Sequence, residues 1–499
     1  MSKLTPAQTP ANRKKKKRFA FSGPLLMASV STAALFVGAP QMEARSLGPQ
    51  APAPSKAAIE AAQSGQREAA RAARQAQNSL KRATMAIQAV QATQQAARDA
   101  AKSALAAIPS GVAHGLRPGG LQVGTGVSLA DGTVNRELWR GADLPTEFAD
   151  GNGRTQVGVK QTEQKAILTW DSFNVSERTD LTFDQKGNRD WVALNRVQGG
   201  ASPSRILGNI KADGSVFVIN QNGIIFGGAS QVNVGALIAS TAKISNEQFL
   251  NGGIYSSQTG SNWAPSFTDA AALLGNGTGG GVVKVEAGAQ ITTRAPASAT
   301  SGGGFVLLMG GEVEQSGTIT TQKGQTQLAA GDDFVLRRGY GTDANQFSTT
   351  RGNEIAPLFD AGSLAGLVRN NGMISSTQGD ITLAGRTIEQ NGVLLASTSV
   401  SARGTIHLLN SATDKLGSIT LGADSLTTII PELESKETAL NSQRDALIAA
   451  SEKANAARTA TGPFNNLSLL ADRLDQSRVE IVTGGNVTFK GAVRLAPDR

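Results

Sequence analysis

The sequence predicts a mainly β protein, a right-handed parallel β-helix (solenoid) with an Ala-rich helical N-terminal region and a short C-terminal helical insertion. Three observations carry that prediction. Short β-rich runs end again and again on Gly or Asn-Gly, residues that let a strand turn without a long loop. Composition suits a thin stacked core: 57 Gly against 17 Pro, no Cys, 4% aromatic and 17% charged residues. Finally, the chain repeats itself at the length of one solenoid turn, about 20 to 25 residues.

Taken in order, the chain opens with a basic run, Arg13-Lys14-Lys15-Lys16-Lys17-Arg18, followed by a weakly apolar segment, Phe19 to Val37. That order is the pattern of a secretory signal with an extended n-region, with cleavage expected near Ala44. A nucleic-acid patch and an uncleaved anchor are the alternatives; Gly23, Pro24 and Gly38 weaken the anchor. Pro is absent from Ser55 to Ile108, where Ala dominates. Strong helix formers with few large apolar residues predict a helix of roughly 75 Å with mostly solvated faces, folded back or frayed, acting as a spacer. Leu80, Met85, Ile87, Val90 and Leu105 are too sparse for a sustained heptad stripe.

Residues 109–154 read as a short strand or cap with loops. Regular β-signals begin near Thr155 with the alternating Gln156–Gln161, the apolar Ala166–Trp170, and the alternating Asp180–Asp184. Two apolar runs, Val216–Ile219 and Ile224–Phe226, then meet at the corner Asn220-Gln221-Asn222-Gly223. Farther on, Gly317-Thr318-Ile319, Gly372-Met373-Ile374 and Gly392-Val393-Leu394 are copies of one corner. Gly324–Leu328, Gly379–Leu383, Gly404–Leu408 and Gly417–Leu421 read as copies of a second. Stacked about 4.8 Å apart, such strands make residues 155–425 a rod on the order of 60 Å long. Glu432 through Arg458, with Leu433, Leu440 and Leu447 seven apart, predicts a helix leaning one face on the rod. Val479–Val482 and Asn486–Phe489 look like a further turn.

Charge and motifs exclude several classes. Residues 1–108 hold 16 Lys/Arg and 4 Asp/Glu, and the remainder 32 and 35, so the net +9 divides into +12 and −3. The slightly acidic β body lacks a basic aromatic face, and nucleic acid is not an expected partner. With no Cys and only His114 and His407, zinc spacings are missing, and no metal, cofactor or catalytic residue is expected. Asp332-Asp333 is the most compact acidic pair, but neighbours on a strand face opposite ways. Gly275-Asn276-Gly277-Thr278-Gly279-Gly280 fits a dinucleotide fingerprint formally, in the wrong context: a strand follows it instead of preceding it.

Ile206-Leu207-Gly208, Val216 through Gly227, Leu168-Thr169-Trp170-Asp171-Ser172-Phe173 and Leu194-Asn195-Arg196-Val197 together resemble the N-terminal secretion domain of the filamentous haemagglutinin family. The resemblance covers about residues 155–250. It implies an exoprotein of a Gram-negative two-partner secretion system, entering the periplasm through the Sec translocon and signal peptidase. An outer-membrane β-barrel transporter then recognises it and passes it to the cell surface. By the same resemblance Asn220, Gln221, Asn222, Gly223 and Ile224 carry the family's Asn-Pro-Asn-Gly secretion motif, with Gln221 where Pro is usual.

The expected organisation is a signal peptide over 1–44, an Ala-rich helical spacer over 45–108, a two-partner secretion domain with its cap over 109–270, and β-helix repeats over 271–431. A helical insertion over 432–461 and a further turn over 462–499 follow. The expected function is that of a non-enzymatic haemagglutinin-like adhesin engaging glycans or proteins on a host or neighbouring cell. A toxin-delivery stalk and a β-helix carbohydrate-active enzyme are the alternatives.

Overall fold

A computed structural model describes residues 56–259, 262–268, 281–296, 302–338, 353–398, 404–431 and 477–495. The expected signal peptide, the Gly275–Gly280 fingerprint and the expected helix over 432–458 lie outside the described residues. The chain divides into two units, Met1–Ala70 and Arg71–Arg499. Within the first, the described residues are the start of a helix, α1 (Lys56–Ala107). The second holds the rest of α1 and the β body.

The β body is a parallel β-helix of three long sheets, here called first, second and third in the order the chain visits them. One turn shows the plan. Ser215–Ile219 lies in the first sheet, Ile224–Phe226 in the second and Gln231–Val234 in the third. The chain then re-enters the first sheet at Ala236–Ser240, in parallel register with the strand it left: Phe217 faces Ile238 and Val218 faces Ala239. Val and Ile dominate these strands because branched side chains fit a pleated, buried surface. Their inward residues form one continuous core, including Val216, Val218, Ile224, Phe226, Val232 and Val234.

The repeated glycines serve stacking more than turning. A Cβ on Gly372 would sit 2.2 Å from the Gly317 carbonyl oxygen, and one on Gly392 2.1 Å from that of Gly372. Gly324 and Gly379 stack on one another in the same way. Rungs close to strand spacing at these corners, which leaves no room for a side chain. The expected first family of corners stacks as read: Ile319, Ile374 and Leu394 are successive partners in the third sheet. The second needs a correction. Gln325, Asp380 and Thr405 stack in the first sheet, but Ser418–Leu421 belongs to the second sheet, paired with Thr387–Gln390. The first-sheet partner of Thr405–Leu409 is Arg478–Val482 instead. A Gly followed by alternating apolar residues marks a corner without saying which one.

A ladder of amide side chains inside the solenoid binds backbone at its corners and links one rung to the next. Gln315, Asn370 and Gln390 stack in register and are fully buried. Gln315 Nε2 donates to the carbonyls of Gly317 and Met373, and Gln390 Nε2 to that of Gly392. Such amides add a second donor to corner carbonyls that already accept a backbone N–H, Gly317 from Met373 and Gly392 from Leu426.

The N-terminal end is capped. Leu121–Val123 and Trp139–Arg140 pair antiparallel with Lys165–Phe173, and Thr146–Ala149 pairs antiparallel with Thr155–Lys160. Beneath them Trp139, Trp170 and Phe173 meet edge to face, with centroids 5.1 and 5.5 Å apart. The cap removes the open strand edges that would otherwise invite association.

The outer face of the first sheet is also covered. Long connections leave after Ser240 and after Ala330, before the second-sheet strands Val282–Val285 and Leu367–Asn370. Ile244, Phe249, Ile254 and Phe267 from the first connection, with Phe334 and Leu336 from the second, pack on Ile167, Leu194, Phe217, Ile238 and Leu307.

Helix α1 is one continuous helix, and the expectation of a solvated, folded-back spacer fails for its later part. Ala83 is buried with Met373, Val393 and Leu426, and Ala86, Ile87 and Val90 pack beside it. Gln94 donates to the Ser316 carbonyl and accepts from the Gly288 amide. Arg98, 4% exposed, donates from Nη1 to the carbonyls of Ser230 and Gly288, both at 3.0 Å. These contacts climb consecutive rungs, from Gly228 beside Ala101 to Leu426 beside Ala83. The geometry agrees: Ala83 to Ala101 is about 27 Å of helix, and five rung spacings are about 24 Å.

Candidate functional site

The corner Asn220–Gly223 joins the first sheet to the second, and each of its residues has a distinct task. Asn220 is 2% exposed. Its Oδ1 accepts from the backbone N–H of Asn222 at 3.0 Å, an Asx turn, and its Nδ2 donates to Ser204 Oγ at 3.0 Å and the Ser202 carbonyl at 3.2 Å. One side chain therefore shapes its own turn and ties it to the rung below. Gly223 has φ +116°, and a Cβ there would meet the Val282 carbonyl at 2.9 Å, so both conformation and space demand glycine. Ile224 is fully buried in the core.

Asn222 is half-buried and its Nδ2 donates to the Gly200 carbonyl and Asn220 Oδ1. Gln221 is also half-buried, and its Nε2 is shut off from solvent with no acceptor among the described residues. The five expected motif residues thus separate into an inward set, Asn220, Gly223 and Ile224, and an outward pair, Gln221 and Asn222.

The outward pair lines a cleft of about 680 Å³ together with Arg196, Gly200, Lys243 and Ser245. Arg196 donates to Asn246 Oδ1 and the Ile244 carbonyl, both at 2.7 Å, and so pins the first insertion onto the sheet. Burial lowers the Arg196 pKa from its ordinary value. Lys243 is exposed. Neither cation has an ion pair among the described residues.

The other blocks singled out in the sequence hold the turns below. Trp170 Nε1 donates to Asn195 Oδ1 at 3.0 Å, and Asn195 Nδ2 reaches the carbonyls of Ala193 and Phe217. Asp171 takes the backbone N–H and hydroxyl of Thr125 from the cap. Sequence reasoning missed a polar cluster on the third sheet, where Arg154 grips both oxygens of Asp180, which also accepts from Asn209 and Gln156. Burial opposes ionisation of Asp180, but these hydrogen bonds and the Arg154 charge outweigh it and hold its pKa below the usual carboxylate value.

The TPS secretion domain family model matches residues 142–408, more than half of the chain. The chain belongs to the TPS secretion domain family. It is therefore a secreted exoprotein of Gram-negative two-partner secretion. A heme/hemopexin-binding protein of Haemophilus influenzae is 37% identical to the TPS chain over 86 residues, 17% of this chain and 9% of that protein. The heme/hemopexin-binding protein of the Rd strain is 28% identical over 232 residues, 46% of this chain and 22% of that protein. The chain thus aligns with less than a quarter of either relative's length. Among solved structures, the HMW1 secretion domain from Haemophilus influenzae matches with TM-score 0.40 and 22% identity, over 59% of this TPS chain and 70% of that one.

Other expected readings find structural roles. His407 lies on the first sheet, with Nδ1 2.9 Å from Glu480 Oε2 and Nε2 2.8 Å from Thr405 Oγ1. His114 Nδ1 is 2.7 Å from Ser176 Oγ. Asp332 is buried and accepts from the Asp360 amide and the Ser363 hydroxyl, which fixes the return of the second insertion.

Proposed function

We propose that this chain is a surface-exposed, non-enzymatic, adhesin-like exoprotein, handed through the outer membrane by a partner β-barrel transporter that reads its secretion domain. The observation that carries the reading is the family match over residues 142–408. The fold supports it physically. A solenoid buries core one rung at a time, so each rung that stacks outside the cell opposes return of the chain without an external energy source. A cap at the N-terminal end gives the first rung a surface to stack on. The polar groups that would suit catalysis, His114, His407 and Asp332, are engaged in holding rungs and loops.

Within the motif, Asn220 and Gly223 hold the turn, and Asn222 with Gln221 are the side available to a transporter. The test expresses the full chain in a Gram-negative host with and without its outer-membrane transporter. Extracellular chain is expected only with the transporter; equal export in its absence overturns the reading. Asn222→Ala is expected to lower export while the secreted fraction folds normally.

A further inference from the structure

The geometry points to the cleft beside the Asn220–Gly223 corner as a receptor for the carboxylate of an acidic peptide segment, and, resting on the function proposed above, the segment is one supplied by the transporter. Four features of the cleft converge on a negatively charged, hydrogen-bond-accepting guest. Arg196, half-buried, has its guanidinium held by Asn246 and the Ile244 carbonyl, neither of which carries a charge. A partly desolvated cation without a counterion carries a cost, and an arriving carboxylate relieves it. Lys243 lines the cleft with a second, exposed cation. Gln221 Nε2 is a donor closed off from solvent and lacking an acceptor among the described residues. Finally, no Asp or Glu is among the described residues that line it.

The cleft also has the size of a ligand site, about 680 Å³, within the range of pockets that hold a few side chains. Its walls are rigid on two sides. One is the first sheet, through Arg196 and Ile219; the other is the motif corner, fixed by the Asx turn of Asn220. Gln221, the residue that departs from the family motif, sits in the wall. Proline at that position has no side-chain donor, so the departure adds a hydrogen-bonding group to this chain's cleft.

The test titrates the purified full chain with acetylated hexaglutamate in low salt, with acetylated hexalysine and sodium acetate as controls. Saturable binding of hexaglutamate is expected, with none of hexalysine, and loss of most of the affinity in 0.3 M NaCl. Lys243→Glu, on an exposed side chain, is expected to weaken binding at least tenfold with an unchanged melting temperature. Gln221→Pro, which keeps the corner and removes the amide, is expected to weaken it about threefold. Acetate that competes as well as hexaglutamate on a per-carboxylate basis would reduce the site to a general anion site and overturn the peptide assignment. Undiminished hexaglutamate binding by Lys243→Glu, or no binding by the native chain, overturns the cleft itself. These outcomes do not involve the transporter, so transporter-dependent export of the native chain stands or falls separately. Lowered export of Lys243→Glu links the two.

Discussion

Truncating Arg98 to alanine tests whether α1 is a structural part of the β-helix. The guanidinium is buried against the corner of the second and third sheets and supplies two charge-assisted bonds, to the carbonyls of Ser230 and Gly288, each 3.0 Å. Bonds to a charged group contribute about 1.5 to 3 kcal/mol each. Burial of the cation offsets part of this, as the lowering of its pKa by desolvation indicates. A net loss of about 2 to 4 kcal/mol follows for Arg98→Ala. The neighbouring contacts, Gln94 with Ser316 and Gly288 and Ala83 with Met373, Val393 and Leu426, are independent of it. The loss therefore falls on docking of residues 83–101, and the solenoid beneath stays folded. At about 1.4 kcal/mol per tenfold, the undocked population rises about 30- to 1000-fold. Amide exchange reads it directly: protection across 83–101 falls by that factor, and protection of Val216–Ile219 stays the same. Arg98→Met, which keeps the apolar stem, is expected to lie between the two. Exchange of 83–101 within twofold of the native protein would refute the strap, as would cooperative loss of the whole β body.

Three further outcomes follow. Asn220→Ala removes the Asx turn and leaves Ser204 and the Ser202 carbonyl without their partner, so urea denaturation is expected to show a loss of about 1 to 3 kcal/mol. Gly372→Ala places a methyl 2.2 Å from the Gly317 carbonyl and is expected to cost about 1 to 3 kcal/mol, with an equal substitution at the solvated Gly151 near neutral. The Arg154–Asp180 cluster gives a pH signature. Because the folded pKa of Asp180 is depressed, its contribution is fully present above the unfolded aspartate value, about 3.9, and is lost as pH falls through the lower folded value. Arg154→Met is expected to cost about 1 kcal/mol at pH 7 and to flatten the acid limb of stability against pH; an unchanged acid limb would remove the pair from the account.

Much of the β-helix is legible in the sequence because its turns repeat. The corners at Gly317, Gly372 and Gly392 are nearly identical, and identical neighbours stack in register. The run Val216-Phe217-Val218-Ile219 is apolar without alternation, the mark of a strand covered on both faces, and all four residues are buried. Gln231–Val234 alternates, and Asn233 is exposed. What covers the outer side of Phe217 was not legible, since Phe249 comes from an insertion with no periodicity of its own. The docking of α1 was hidden for another reason. Ala, Gln and Arg read as a solvated surface, yet Ala is what a helix needs to approach a glycine-lined corner closely, and Arg98 is buried where the corner carbonyls of Ser230 and Gly288 accept from it. In the motif, Asn220 and Gly223 could be read as turn residues from their types alone. Arg196 and Lys243 could not be joined to Gln221, because register and an insertion bring them together.

The motif corner also gains meaning from its position in the series. Both long insertions leave from the same corner of the rung, between first and second sheets, after Ser240 and after Ala330. In the rung of the motif that connection is only Asn220 through Gly223. Insertions there fold onto the first sheet because its outer face is apolar, and Arg196 and Lys165 hold the first one down by binding the carbonyls of Ile244, Phe249 and Leu250. The first insertion therefore runs down past the motif rung as far as Lys165, and the cleft is the gap between this insertion and the short connection. A corner lengthened at Gln221 would fill that gap. The short Asn220–Gly223 turn thus permits rung stacking on the inside and leaves the cleft open on the outside. Inserting three glycines after Gln221 separates the two: stacking of Val216–Ile219 is expected to survive, and hexaglutamate binding to disappear.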